Sequence, residues 1–423
     1  MPGLTLSEKI LSRASGRSVR AGDIAICTPD RVMGTDGSIP MALDYLSAMA
    51  PGEPAPRFPE RLIFALDHYG PVSGAKALAL QARARDYATK HGIRVHDVGE
   101  GIGHQLILET GAARPGELIV GADSHSTSYG AVGAFGTGIG SSDLAGLLLC
   151  GQVWLKVPGS IRIVLHGRLA SDVAAKDVAL WLARRLGADG AAYRALDFDG
   201  PGLATLDMDD RIVLANMSVE LGAKAGLVAF DAVTARWFDD DRRRSGPPLA
   251  PLEADADAVY EDLVDFDLGA IRPQIARPHR VDDVVDVADA PPTRIDMVYL
   301  GTCTGGRVKD YREALDVLER GGGVAPGVRL VVTPASEAVR AELERTGLLA
   351  RFVAFGAEVQ PPGCGSCCGT CGTIPANGEH VISTANRNFK GRMGNAAASI
   401  WLASPRECAR AAVRGSLGGT GAP

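Results

Sequence analysis

Pro361-Pro362-Gly363-Cys364-Gly365-Ser366-Cys367-Cys368-Gly369-Thr370-Cys371 gathers half of the chain's 8 cysteines into one short loop. Upstream stands a lone Cys303, in Tyr299-Leu300-Gly301-Thr302-Cys303-Thr304. Downstream comes Asn386-Arg387-Asn388-Phe389-Lys390-Gly391-Arg392. One isolated thiol plus a Cys-x-x-Cys pair makes three soft ligands. Three thiolates on a four-iron cluster leave one iron open, and an open metal position is what makes a metal site catalytic. The same loop also reads as a zinc knuckle, because two Cys-x-x-Cys pairs overlap in it. Against that, structural zinc sites separate their pairs by about a dozen residues or more. An unligated redox pair is the third reading, and spacing alone leaves all three open.

Outward from the cysteines, short apolar runs end in polar, reactive residues. Leu62-Ile63-Phe64-Ala65-Leu66 runs into Asp67-His68. Glu117-Leu118-Ile119-Val120 runs through Gly121-Ala122 into Asp123-Ser124-His125. Asp296-Met297-Val298-Tyr299-Leu300 runs into Gly301-Thr302-Cys303. In open α/β sheets, sites form at the carboxyl ends of strands, so the pattern predicts an α/β protein with a shared cleft. Helices alternate with these strands. Val308, Tyr311, Ala314, Leu315 and Leu318 repeat at helical spacing, Val328 to Thr333 reads as a strand, and Ser336 caps a helix running to Arg345. Composition shifts near Val157-Pro158-Gly159 and across the Asp- and Pro-rich stretch from Val281 to Thr293 divide the chain into three units, 1–157, 158–288 and 289–423.

With 423 residues, 46% hydrophobic and 22% charged, the chain is globular and long enough for several cores. A net charge of −6 argues against a nucleic-acid partner. Arg242-Arg243-Arg244, directly after Asp239-Asp240-Asp241, reads as a solvated loop. No apolar run is long enough to span a bilayer, and no signal-peptide core follows the N-terminal basic residues. Clustered cysteines fit metal ligation in a reducing compartment, so a cytoplasmic protein is expected.

Three of the 8 histidines stand out. His68 and His125 sit at strand ends beside Asp67 and Asp123, and His104 follows the turn Gly99-Glu100-Gly101-Ile102-Gly103. A carboxylate beside an imidazole sets its tautomer and makes it a useful proton donor. Asn216 and Glu220, four apart, would share a helix face as an exposed polar stripe. Arg387 and Arg392 offer guanidinium forks suited to carboxylates. Gly130, Gly133, Gly136, Gly138 and Gly140 follow neither the dinucleotide nor the P-loop pattern, and read as glycines that let backbone pack around a buried site.

Together these residues resemble the aconitase superfamily, in particular large subunits of the isopropylmalate isomerase and homoaconitase type. The likeness runs end to end: Leu4 to Leu11, Asp36-Gly37-Ser38, Asp67-His68, His104-Gln105, Asp123-Ser124-His125, Asn216 with Glu220, Cys303, Cys364 with Cys367, and Asn386 to Arg392. The resemblance implies an α/β/α core of three domains around a cluster cleft, without the fourth, swivelling domain. It implies one [4Fe–4S] cluster on Cys303, Cys364 and Cys367, with Cys368 and Cys371 as extra thiols. It pairs His68 with Asp67, His104 with Asp123, and His125 with Glu220 as catalytic groups. Asn216 and Asn386 would lie beside the cluster, and Ser38, Arg387 and Arg392 would bind substrate. The implied activity is a hydro-lyase acting on a small hydroxy di- or tricarboxylic acid. A 3-isopropylmalate dehydratase of leucine biosynthesis comes first, and homoaconitate, dimethylmalate or methylmalate types are the alternatives. Single-chain aconitases carry a serine base in the fourth domain, so a separate small subunit is the expected partner and the chain alone is expected to be inactive. Two departures bear on the substrate: Thr35 stands where these relatives have His or Gln, and Gly305-Gly306 where they have Asn-Ser or Asn-Gly. A non-catalytic iron sensor or RNA binder on the same fold, or a divalent-metal hydro-lyase, are the competing classes.

Overall fold

The computed structural model describes residues 2–70, 74–244 and 249–418. Three larger sheets follow one another along the described residues, beside two two-stranded pairs. The first contains β1 (Arg31–Thr35), β2 (Leu62–Ala65), β3 (Arg94–His96), β4 (Leu118–Gly121) and β5 (Phe135–Gly138), in the order β3-β2-β1-β4-β5 and parallel throughout. Every residue of β2 and β4 is buried, as expected of central parallel strands covered on both faces. The second sheet contains β6 (Ser160–His166), β7 (Ala195–Asp199), β8 (Ala225–Val228) and β9 (Asp262–Asp267), parallel in the order β8-β7-β6-β9. The third contains β10 (Gln274–Ala276), β11 (Val284–Asp286), β12 (Met297–Leu300), β13 (Arg329–Val332), β14 (Glu358–Val359), β15 (His380–Ser383) and β16 (Ser399–Ala403). Its order is β11-β10-β16-β15-β12-β13-β14, with an antiparallel β11-β10-β16 edge on a parallel body.

This is the α/β architecture expected from the strand-end pattern. We propose that the chain divides near residues 157 and 288, the first division falling between the first and second sheets. The strand pair from Gln274 to Asp286 reaches across the second boundary to extend the third sheet.

Four helices position the site: α1 (Gly103–Glu109), α2 (Ala175–Leu186), α3 (Met208–Met217) and α4 (Val308–Arg320). Asp207 caps α3 by accepting from the Asp210 amide. Tyr311, Ala314, Leu315 and Leu318 of α4 are the buried stripe predicted from their spacing. Ser336 caps the helix Glu337–Arg345 as expected. The sequence from Cys408 to Gly421 reads as a final helix followed by a loose tail; the helix runs Pro405–Arg414, starting earlier, and a short strand Ser416–Leu417 follows it. From residue 419 that tail lies outside the described residues.

Arg242–Arg244 departs from the solvated-loop expectation. Arg243 is buried, its guanidinium stacked 3.6 Å from the centre of the Trp237 ring. A planar cation stacked on indole gains enough to leave water, which a run of like charges does not reveal. Gly130 packs as expected, because a Cβ there would lie 1.7 Å from the Gly226 carbonyl oxygen.

Candidate active site

The chain leaves β2 into Asp67-His68. Asp67 Oδ1 is 2.7 Å from His68 Nδ1, and Asp67 Oδ2 accepts the amide of Gly103 at 2.8 Å. That second bond anchors the first turn of α1 and so sets the position of His104. Only glycine fits at 103, where a Cβ would come within 2.7 Å of the Ala65 Cβ. His104 Nε2 lies 2.8 Å from Asp123 Oδ1, just past β4, and His104 Nδ1 lies 3.1 Å from the Tyr129 hydroxyl. Asp123 Oδ1 also accepts the His125 amide at 2.8 Å, while Oδ2 lies 3.4 Å from His68 Nε2. His125 Nε2 is 2.9 Å from Glu220 Oε1. The Arg387 Nε donates to both Glu220 oxygens, at 2.8 and 3.0 Å. An unbroken run of polar contacts therefore joins the three larger sheets.

The electrostatics follow from these partners. Burial works against a charged His68, but Asp67 and Asp123 outweigh it and hold the ring well above its ordinary value. Burial likewise opposes ionised Asp123, yet His104, with hydrogen bonds from the imidazoles, keeps it well below the carboxylate range. Glu220 is lowered too, its burial offset first by His125 and then by Arg387. The site thus holds a charged imidazole between two carboxylates.

Beside these groups lie three thiols. Cys303 follows β12 in a turn where Thr302 takes a left-handed φ of 73°. Cys364 and Cys367 bracket a tight turn tied to the end of β2 by the Cys364 amide and the Asp67 carbonyl, 3.2 Å apart. Cys303, Cys364 and Cys367 line one cavity with His68, His104, Asp123, His125, Arg387 and Arg392. N–H donors point at the sulfurs. The amides of Asn216 and Asn386 each donate to Cys303 Sγ at 3.2 Å, and an Arg392 Nη2 donates to Cys367 Sγ at 3.4 Å. Burial pushes the Cys303 thiol up to about 12 and Cys364 well above its ordinary value. Thiolates here call for a bound cation, and the donor set fits one.

A single zinc fits less well. Among the described residues, the side chains that converge within 4.8 Å are Asp67 with His68 and Cys364, and His104 with Asp123 and His125. The three cavity thiols do not all come that close, whereas zinc–sulfur bonds of about 2.3 Å would draw them together. A group with several metal atoms spans the wider separation. The four loop thiols do not converge either, so the knuckle reading fails among the described residues. Cys368 and Cys371 turn away, each 3.5 Å from the His68 carbonyl oxygen, and neither lines the cavity.

The remaining expected residues fall as follows. Asn216 is wholly buried near the end of α3, and Glu220 is buried in the 3-10 turn Ser218–Leu221 that follows. The exposed polar stripe is therefore not formed, because the helix ends between them and both side chains turn inward. Ser38 sits away from the cavity. Its hydroxyl accepts the Thr35 amide at 2.9 Å and closes the turn after β1. Thr35 is buried in that same turn. Gly305 answers a packing demand, since a Cβ there would lie 2.3 Å from Thr384 Cβ. Gly306 is similar, with a Cβ 2.8 Å from the Thr302 carbonyl oxygen. Tyr129 and Lys176, both fully buried beside the site, carry no sequence signal that marks them.

Known proteins resemble this chain over nearly its whole length. The model of the aconitase family (aconitate hydratase) matches residues 8–295 and 288–415. The homoaconitase large subunit of Thermus thermophilus is 45% identical over 419 residues, covering 98% of this chain and 97% of that protein. 3-Isopropylmalate dehydratase large subunits of Thermotoga maritima and Methanopyrus kandleri are 42% and 39% identical, each over 98% of both chains. Thermococcus kodakaraensis aconitase X, in its holo-form crystal structure, shares the fold with a TM-score of 0.50 at 11% identity, over 86% of this chain and 84% of that one. With a family model spanning almost its whole length, and relatives this similar over 98% of it, the chain belongs to the aconitase family.

Proposed function

We propose that the chain is the large subunit of an iron–sulfur hydro-lyase that removes water from a small hydroxy acid and returns it at the neighbouring carbon. The carrying observation is one cavity lined by three thiols and three carboxylate-paired imidazoles. Cys303, Cys364 and Cys367 would hold a [4Fe–4S] cluster, which when bound supplies an iron Lewis acid for the substrate hydroxyl. His68, held charged by Asp67 and Asp123, gives its Nε2 proton to the departing hydroxide. His104 and His125 share the hub carboxylate of Asp123, and Tyr129 holds the far nitrogen of His104, so both rings are oriented for proton exchange. Arg387 keeps its terminal nitrogens for a substrate carboxylate while its Nε rests on Glu220, and Arg392 faces the same cavity. Ser38 acts through the Thr35 turn.

The base that removes the carbon-bound proton belongs to a separate small subunit, in keeping with the "large subunit" names of the relatives. 2-Isopropylmalate is the first substrate, because most of the similar relatives are 3-isopropylmalate dehydratases. Homoaconitate is the second reading, favoured by the 45% identity to a homoaconitase subunit. All 8 cysteines are free, which suits the reducing cytoplasm, and no described helix is long and apolar enough to cross a membrane.

The test is anaerobic reconstitution with iron and sulfide. The wild-type chain gains a broad visible absorption that bleaches on reduction. Cys303→Ser, Cys364→Ser and Cys367→Ser lose it, while Cys368→Ser and Cys371→Ser keep it. A colourless wild type with one divalent ion per chain overturns the cluster. Rates on both acids, with the small subunit added, choose the substrate.

A further inference from the structure

Lys176 stands at the second position of α2 and is 1% exposed. Its ammonium donates to the carbonyls of Ala385 at 2.6 Å and Thr384 at 3.2 Å, and to the Thr304 hydroxyl at 3.3 Å. The Met217 sulfur lies 3.6 Å away. All of these contacts are neutral, and no carboxylate stands within hydrogen-bonding distance of the ammonium among the described residues. The adjacent Asp177 faces elsewhere and accepts the amides of Gln274 and Ala174. A fully buried cation with no anionic partner is costly, and proteins rarely keep one without compensation. Burial does pull Lys176 down, to about 8, but Cys303, Cys408, Glu220 and Cys367 act in the opposite direction.

The acceptors lie in informative places. Thr384 and Ala385 lead directly from β15 into Asn386 and Arg387, and Thr304 follows Cys303 past β12. β12 and β15 are neighbours in the third sheet, and the chain runs outward in opposite directions from that pair. Lys176 therefore ties together the two loops at the point where the sheet opens. It does so from behind the cavity, which it does not line. That position excludes a nucleophilic or Schiff-base role. It leaves a fixed positive charge beneath the thiol set.

We propose that Lys176 is the built-in counter-charge of the thiolate-bound cluster and the positioning residue for the Cys303 and Asn386 loops. The inference rests on the cluster reading above. An anionic group of thiolates and sulfides supplies the partner that the protein itself withholds. The positive charge in turn makes it easier for the cluster to accept an electron.

The experiment compares wild type, Lys176→Met and Lys176→Arg after anaerobic reconstitution. Two readouts are used: the reduction midpoint, followed by electron paramagnetic resonance, and the rise in thermal midpoint on loading. Methionine keeps the length and apolar stem but removes the charge. Its midpoint is expected to shift to lower potential and its thermal gain on loading to shrink, while arginine retains the wild-type midpoint. An unshifted midpoint with an undiminished thermal gain in Lys176→Met overturns the inference, as does an equal shift in both variants. Should arginine be too large to fold there, the methionine readouts decide alone. A wild type that takes up no cluster overturns the cluster reading instead, and is told apart by its missing absorption.

Discussion

Asp123→Asn is the most discriminating substitution in the site. Asp123 Oδ1 takes both direct hydrogen bonds, from His104 Nε2 and the His125 amide, each at 2.8 Å. Asparagine can keep both through its own Oδ1, so no buried donor is orphaned. The bonds change from charge-assisted to neutral, which roughly halves their strength. With about 1.5–3 kcal/mol for a bond to a charged acceptor, two such changes cost about 2 kcal/mol. The new amide group replaces Oδ2, 3.4 Å from His68 Nε2, and sets donor against donor.

The pH dependence has a definite sign. The folded value of Asp123 is depressed, so its stabilisation is fully present above the unfolded carboxylate value, about 3.9. It is lost as pH falls below that value toward the folded one. Urea unfolding of wild type and variant should therefore differ by about 2 kcal/mol at pH 7 and converge in acid. Turnover by the loaded chain with its small subunit should fall about 100-fold or more, the usual contribution of a positioned proton donor. Unchanged stability at pH 7 together with a rate within about threefold of wild type would refute Asp123 as the hub, because proton-transfer groups contribute far more than that.

Asn216→Ala removes one of the two amides that donate to Cys303 Sγ. Iron retained against a chelator should weaken by about 10–100-fold, read from metal content after dialysis. Gly305→Ala forces a Cβ against Thr384 and should cost about 1–3 kcal/mol in thermal unfolding, with partial recovery in the double variant Thr384→Gly. Asp197, buried on β7, is raised to about 7 by desolvation. The folded state keeps that proton while the unfolded chain has already lost it, so stability falls as pH rises from about 4 to the folded value. Asp197→Asn should leave stability nearly unchanged below pH 4 and raise it by about 2–4 kcal/mol at pH 8, read from urea midpoints.

Asp67-His68, Asp123-His125 and Cys303 were legible because each is a local event, a polar residue just past an apolar strand. The parallel sheet needs its helices on both faces, so its open carboxyl edge is the place for chemistry. Glu220 was legible only through resemblance. Its helix ends at Met217, and only the 3-10 turn that follows aims its carboxylate at His125. Tyr129, Lys176 and Arg243 were not legible at all, because their roles come from packing between distant segments and hydrophobic periodicity carries no record of that.

The linear chain by itself determined the α/β class, the strand ends that bear reactive groups, and the thiols available to a metal. These depend on neighbours within a few residues. Tertiary structure decided which thiols share a cavity, that Asp123 serves three imidazoles, and that a lone buried lysine lies beneath them. The shared cavity and the buried lysine depend on how three separately wound sheets meet, and the Asp123 hub on how strand-end loops of the first sheet converge. A contact between residues more than a hundred positions apart is fixed by the shape of both packed surfaces and leaves no pattern along the sequence.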